Sequence, residues 1–303
     1  MQEIQELRRL IALPGLNDLV INGAQFAQAD FGEGLVEIEN PFGDSQSLSH
    51  ALCQLALEAG ARLDIAKPIA DFALYGSRFH AVLAQGVSTI PLVSVRKHIA
   101  AQITLHHLVE AQMLTAHQAN WLKGQIQDRK SILISGATST GKTTLLRAML
   151  SGLEERVIAI EQTPELMLQP PAISLTERIS NQEGVGAITL DELVVHALRM
   201  RPDRLVVGEV RSKEFQVLLQ AINNGHTGTM ATLHASSLSQ VAERALILGM
   251  LSGMSQALTA RLFAMSVDLV IQLKKTDHRR SIAAIGEPRL DSGGITIEEL
   301  SIS

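Results

Sequence analysis

The sequence predicts an α/β chain: a mostly parallel sheet with helices on both faces, preceded by a small α+β unit. Two patterns and one loop predict it. From residue 130 onward, short apolar runs alternate with stretches whose apolar positions recur at helical spacing. Buried parallel strands joined by crossover helices read this way. Before residue 100, short strand-like runs surround a single helical stretch. Where the second region begins, a glycine-rich loop, GATSTGKTT at residues 136–144, separates a buried run from a helix. The 303 residues, 46% of them hydrophobic, suffice for one large domain or two modest ones, each with its own core.

In order along the chain, residues 18–22 and 35–38 are β-rich pieces. Residues 48–59 repeat apolar positions at helical spacing and stop at Gly60, a residue suited to a helix end. Strand character returns at 72–74, 79–83 and 88–95. A helical region at 105–123, through His106, Leu108, Val109, Met113, Leu114 and Trp121, connects this unit to the next. The expected division is therefore 1–100, a helical linker at 101–123, and a second domain at 124–303. In that domain strands at 131–135, 156–160, 205–208 and 229–233 alternate with helices at 142–151, 190–200 and 213–222. The remainder supplies helices at 238–250 and 254–263, strands at 267–273 and 281–285, and a turn at 292–294. There is no internal repeat or low-complexity segment.

Composition removes several function classes. Charged residues are 19% of the chain and the formal net charge is -5, so no global basic footprint awaits nucleic acid or anionic lipid. Aromatic residues are 3%, with Trp121 and Tyr75 the sole members of their types, which leaves little for base stacking. Cys53 stands alone, so neither a disulfide nor a thiolate metal site forms within the chain, and a reducing, cytosolic setting fits. The opening MQEIQELRRLIALPG scatters its charges and does not read as a signal peptide. No apolar run reaches the length of about 18 residues that a membrane span needs. Membrane contact is expected to go through other proteins.

The loop carries the chemistry. Gly136, Gly141, Lys142 and Thr143 stand in the phosphate-loop register, with Ala137, Thr138, Ser139, Thr140 and Thr144 completing the segment. Backbone amides of such a loop converge on a β-phosphate. Its lysine reaches the β and γ oxygens and its hydroxyl ligates Mg²⁺. Hydrolysis needs a carboxylate as well. RVIAIE ends in Glu161 and LVVGE ends in Glu209, both at the carboxyl edge where the loop lies. Glu209 is the expected water activator and metal-shell residue, with Glu161 assisting. His226 and His234 flank TGTMATL and are candidates to sense the γ-phosphate, though two histidines do not make a zinc site. Arg199, Arg201, Arg204 and Arg211 cluster around the second acidic strand. They read either as surface ion pairs or as neutralisers of phosphate charge across a subunit boundary.

With these segments in place, the sequence resembles the ATPases of type II and type IV secretion and of type IV pili, nearest the Tad/Flp pilus and conjugal-transfer branch. GATSTGKTT matches the family's Walker A segment, IEQTPEL its Asp box, LRMRPDRLVVGEVR its Walker B segment and GHTGTMATLHA its His box. The resemblance implies a RecA-like P-loop NTPase domain, an N-terminal domain that closes over ATP or ADP, and a homo-hexameric ring. It also implies Mg²⁺-dependent ATP hydrolysis that drives a polytopic inner-membrane platform protein from the cytoplasmic face, with no nucleic acid and no membrane insertion. By position, Glu209 corresponds to the general base, Glu161 to the Asp-box glutamate, and His226 and His234 to the His-box pair. YGSRFHAVL places Arg78, and VSVRKH places Arg96, at nucleotide-facing positions of the N-terminal domain.

The sequence departs from the family in two respects. Glu161-Gln162 replaces the usual Glu-Asp, which keeps hydrogen-bonding capacity and loses a charge. The stretch before the first strand and the connection from Leu83 to Val93 are short. Two alternatives stand beside the motor. One is a nucleotide-gated structural subunit that barely hydrolyses ATP, supported by Gln162. The other is a DNA translocase, which the charge balance and the few aromatics oppose.

Overall fold

The computed structural model describes residues 2–32, 34–97, 103–178, 185–276, 279–291 and 294–302. Packing divides the chain into two compact units, Met1–Ala101 and Gln102–Ser303.

The first unit runs α1 (Gln2–Ile11), β1 (Asp18–Asn22), β2 (Phe26–Asp30), β3 (Leu35–Glu37), α2 (Ser45–Glu58), β4 (Ile69–Leu74), β5 (Ser77–Val82) and β6 (Leu92–Lys97). Its strands form one six-stranded sheet in the order β3-β2-β1-β6-β5-β4, every pair antiparallel. Alternation in β5 turns Phe79 and Ala81 inward and leaves Arg78 and His80 exposed. The inward residues join Leu7 and Leu10 of α1 and Leu48, Leu52 and Leu55 of α2 in one core. Asp44 caps α2 by accepting the Ser47 N–H. Cys53 lies on α2 as a free, partly buried thiol.

The second unit runs α3 (Leu105–Glu110), α4 (Ala116–Gln127), β7 (Ile132–Gly136), α5 (Lys142–Leu150), β8 (Val157–Glu161), β9 (Ile173–Thr176), α6 (Leu190–Leu198), β10 (Arg204–Val207), α7 (Glu214–Asn223), β11 (Met230–Leu233), α8 (Leu238–Leu251), α9 (Gln256–Ser266), β12 (Leu269–Thr276), β13 (Arg279–Asp291) and β14 (Gly294–Glu299). The sheet order is β14-β13-β12-β7-β11-β10-β8-β9. From β12 to β9 every neighbouring pair is parallel. Only β13 and β14 run antiparallel, as a β12-β13-β14 meander at one side. Strands β7, β8, β10 and β11 are buried along their whole length, which explains their unbroken apolar runs. One face packs against α3, α4 and α5 and the other against α6 to α9, giving two cores with the sheet between them. The α/β architecture with a leading α+β unit is as the sequence predicts.

Several elements differ from the prediction. The helix expected over 105–123 is two, because Thr104 and Thr115 each form a capping box and Gln112 takes a left-handed φ of 56° between them. Both helices contribute Leu105, Leu108, Leu122 and Ile126 to the core of the second unit. A ten-residue helix, α1, fills the stretch before the first strand. The turn expected at 292–294 lies outside the described residues except for Gly294. Among the described residues no helix is long and apolar enough to cross a membrane.

Candidate phosphate-binding site

The parallel register gathers the candidate residues. Leu233 pairs with Ser135 and Leu273 with Gly136, while Val207 pairs with Ile160. Glu161, the last residue of β8, and Glu209 and His234, which follow β10 and β11, therefore emerge at the edge where β7 turns into its loop. Carboxyl ends of parallel strands are where such folds bind ligands.

The loop is compact. Gly136 admits no side chain: an added Cβ would collide with the Thr140 hydroxyl and lie 3.1 Å from the Leu273 carbonyl oxygen. Ser139 has φ 63° and Gly141 φ 93°, so two left-handed residues curl the backbone ahead of α5. Lys142 is 8% exposed. Its Nζ donates to the carbonyls of Gly136 and Ala137, each at 3.0 Å, and lies 3.3 Å from His234 Nδ1. Burial pulls its pKa below the usual lysine value, against the opposing charges of Glu209 and Glu165. Thr143 Oγ1 donates to Glu165 Oε2 at 3.3 Å.

The two acids named from sequence have different surroundings. Glu161 is 3% exposed. Its Oε1 accepts the backbone N–H groups of Glu165 and Leu166, both at 2.9 Å, and its Oε2 accepts the Ser174 hydroxyl at 3.3 Å. Burial raises its pKa in spite of these bonds. Such a carboxylate folds the β8–β9 connection and presents its neighbour: Glu165, four residues on, faces Thr143. Sequence reading passed over Glu165, although its spacing from a strand-end acid was the available signal. Glu209 is partly exposed, with Oε2 accepting from Arg211 at 2.6 Å and Oε1 3.2 Å from His234 Nε2. Burial alone would raise its pKa, but the Arg211 hydrogen bond and the charges of His234, Arg211 and Lys142 outweigh it and hold the carboxyl below its usual value. Arg211 also donates to Gln162 Oε1 at 2.6 Å. The buried Glu214 carboxylate, accepting the backbone N–H groups of Arg211 and Ser212, fixes the turn that carries Arg211.

The histidines separate. His234 bridges Lys142 and Glu209, and burial followed by the Lys142 charge lowers its pKa. His226 precedes β11, whose Met230 pairs with Ile132 at the start of β7, so it stands at the amino edge of the sheet. The structure does not bring it to the phosphate loop, because the length of β11 intervenes. The arginine cluster is likewise an artefact of sequence order. Arg204, at the start of β10, is 1% exposed, ion-paired to Glu155 at 2.8 Å, and donates to the carbonyls of Gly228 at 2.9 Å and Ile126 at 3.1 Å. It stitches the amino edge and is neither a surface pair nor a phosphate neutraliser. Arg199 and Arg201 also precede β10, and only Arg211 stands beside Glu209.

Comparison with known proteins adds the family. Residues 72–284 match the family described as Type II/IV secretion system protein. The chain belongs to that family. A Mycobacterium tuberculosis (strain H37Rv) protein named for conjugal transfer is 34% identical over 300 residues, covering 95% of this chain and 85% of its own. The type IV secretion system protein VirB11 of Bartonella henselae is 30% identical over 210 residues, 67% of this chain and 59% of its own. In fold, the secretion-family chain is similar to the pilus retraction motor PilT with bound ADP, at a TM-score of 0.68 and 18% identity over 99% of this chain and 84% of that one. It is also similar to the Legionella pneumophila ATPase DotB, at 0.61 and 19% over 92% and 78%.

The first unit of this secretion-family chain carries the other two predicted residues. Arg78 on β5 and Arg96 on β6 are direct cross-strand partners on the exposed face of the sheet. Like charges placed so repel unless compensated. Asp18 accepts from Arg96 at 2.8 Å and Asp71 lies 3.7 Å from Arg78, and both guanidinium groups remain largely open to solvent. Among the described residues no group of three or more His, Cys, Asp and Glu side chains gathers as a self-sufficient metal site. The oxygen pair of Thr143 and Glu165 suits a hard cation that keeps most of its waters and shares phosphate oxygens, as Mg²⁺ does.

Proposed function

We propose that this chain is an ATPase, binding ATP and Mg²⁺ on the loop from Gly136 to Thr144 and hydrolysing the γ-phosphate. The observation that carries the reading is the junction at Lys142, whose Nζ lies 3.3 Å from His234 while His234 lies 3.2 Å from Glu209. One cation, one imidazole and one carboxylate thus meet at the loop. Lys142 exchanges the Gly136 and Ala137 carbonyls for phosphate oxygens. Glu209, kept ionised by Arg211, orients the attacking water and accepts its proton, and His234 fixes the carboxylate. Thr143 and Glu165, together with Glu209, would hold the metal. Mg²⁺ when bound neutralises charge on the β and γ oxygens. Glu161 acts by placing Glu165. His226, at the far edge, has no part in this chemistry within one chain.

At the level of the whole machine, the proposed assembly is a homo-hexameric ring on the inner face of the membrane. There the first unit closes on nucleotide through Arg78 and Arg96 and drives a polytopic platform protein of a Tad/Flp-like pilus or a conjugation apparatus. Family membership and the relatives named for conjugal transfer and type IV secretion support this reading. The adjacency of Arg78 and Arg96 on the exposed face of the first unit's sheet supports the reading.

Steady-state hydrolysis of wild type, Glu209→Gln and Glu165→Gln, with light-scattering mass on the same samples, tests the proposal. A hexamer-sized species whose activity disappears in both variants while ADP still binds is the expected result. Equal turnover in wild type and Glu209→Gln would remove Glu209 from the mechanism, and tight nucleotide binding without hydrolysis would favour the nucleotide-gated subunit.

A further inference from the structure

On the β12–β13 hairpin, the Arg280 side chain reaches the phosphate loop. Arg280 Nε donates to the Ser139 carbonyl at 3.0 Å across 141 residues of sequence. A Cβ on Gly141 would lie 3.3 Å from Arg280 Cδ and 3.1 Å from Met113 Cε, so the arginine stem and the methionine close on the loop from two sides. The mount is rigid. Arg280 pairs with Lys275 of β12, and β12 is hydrogen-bonded to β7 up to the Leu273–Gly136 pair.

The contact falls at a strained point. Ser139 is not glycine, yet it sits at φ 63°, a region that L residues occupy only when their surroundings impose it. Its carbonyl shares a peptide group with the Thr140 N–H, which otherwise makes only a 3.4 Å bond to the Ala137 carbonyl. A charged donor on the oxygen of a peptide polarises its N–H and makes it a stronger donor to an anion. Nothing in the linear sequence separates Arg280 from the other cations of KKTDHRR.

We propose that Arg280 is a positioning residue of the phosphate loop. It holds Ser139 in its left-handed conformation and the loop amides in their converged arrangement, so that nucleotide affinity depends on it and the hydrolytic step does not. This rests on the reading that the loop binds nucleotide.

The test uses the full chain and measures ADP binding in the presence of MgCl₂ by titration calorimetry, with steady-state ATP kinetics alongside. Arg280→Met keeps the stem against Gly141 and removes the donor. It is expected to raise the Kd for ADP and the KM for ATP about tenfold, the scale of one charge-assisted hydrogen bond, with kcat within about twofold. Arg280→Lys, which retains a charged donor, is expected to recover most of the loss. Ser139→Gly in the Arg280→Met background is expected to recover affinity too, because glycine adopts positive φ without the clamp. Melting temperatures of the same variants separate positioning from a general loss of stability: affinity is expected to change where the melt does not. Unchanged affinity in Arg280→Met, a fall in kcat at constant KM, or no recovery with Ser139→Gly would each overturn the proposal. Absence of ADP binding in wild type, or undiminished binding in Lys142→Ala, would instead overturn the nucleotide site itself.

Discussion

Glu161 separates an architectural carboxylate from a chemical one. Its Oε1 is the shared acceptor for the N–H groups of Glu165 and Leu166, at 2.9 Å each, and Leu166 is fully buried. Truncation to alanine orphans both donors. At about 1–3 kcal/mol for each buried donor left without a partner, and with Glu165 only partly buried, Glu161→Ala should destabilise by about 2–4 kcal/mol. For a unit of this size that lowers the melting temperature by about 4–16 °C. Glu161→Gln keeps the accepting oxygen and discards the charge. Burial holds the Glu161 pKa above its ordinary value, so the folded chain binds this proton more readily than the unfolded chain. The associated stability is fully present below the unfolded value, 4.5, and is lost as pH rises through the folded value. At neutral pH the glutamine variant should therefore melt at or above wild type, and its stability should fall less between acid and neutral pH. Calorimetric melts at acid and neutral pH, with hydrolysis assayed on the same preparations, decide the matter. Glu161→Gln melting as low as Glu161→Ala would refute the hydrogen-bond argument. A wild-type melt with hydrolysis abolished would return Glu161 to the chemistry.

Glu165→Gln should lower kcat at least about 100-fold with ADP affinity nearly unchanged, which single-turnover kinetics beside calorimetry will read. Arg204→Met should cost about 2–4 kcal/mol, because the buried carbonyls of Gly228 and Ile126 lose their donor, while KM for ATP stays at the wild-type value; a stable variant with altered KM would contradict its placement at the amino edge. Burial and Lys142 hold the His234 pKa below the ordinary histidine value, so its folded form is neutral at pH 7 and charges only at lower pH. Hydrolysis should thus be insensitive to His234 between pH 7 and 8, and His234→Gln, which retains a donor toward Glu209, should flatten the acid limb of the kcat profile.

Much of this was legible in the sequence, for identifiable reasons. Strands buried on both faces leave unbroken apolar runs, so β7, β8, β10 and β11 announce themselves, and the phosphate loop needs its glycines, lysine and threonine in fixed register. What escaped was carried by weak local signals. β2 turns only Ala27 and Ala29 inward, too little hydrophobicity to mark a strand. β9 is four residues with a half-exposed pattern. α1 is mostly charged and polar, and its apolar residues become a face only on the helix. The candidates that the fold separates do so for one reason: sequence proximity does not say at which end of a strand a residue falls. His226 and His234 are close in the chain and occupy opposite edges of the sheet, as do Arg204 and Arg211. Glu161 and Glu165 invert the same lesson, because the buried acid is visible as a strand end while the acid facing Thr143 sits in an irregular turn.

The buried amide of Gln272 on β12 has a wider consequence. Its oxygen accepts the Ser135 hydroxyl at 2.6 Å, one residue before the loop, and its nitrogen donates to the Ala235 carbonyl at 3.2 Å, one residue after His234. The phosphate loop and the imidazole beside Glu209 are thereby bolted to one post. The loop and the histidine therefore share one anchor, and a shift of either strand end reaches the other through Gln272. In this chain a single neutral side chain supplies that anchor.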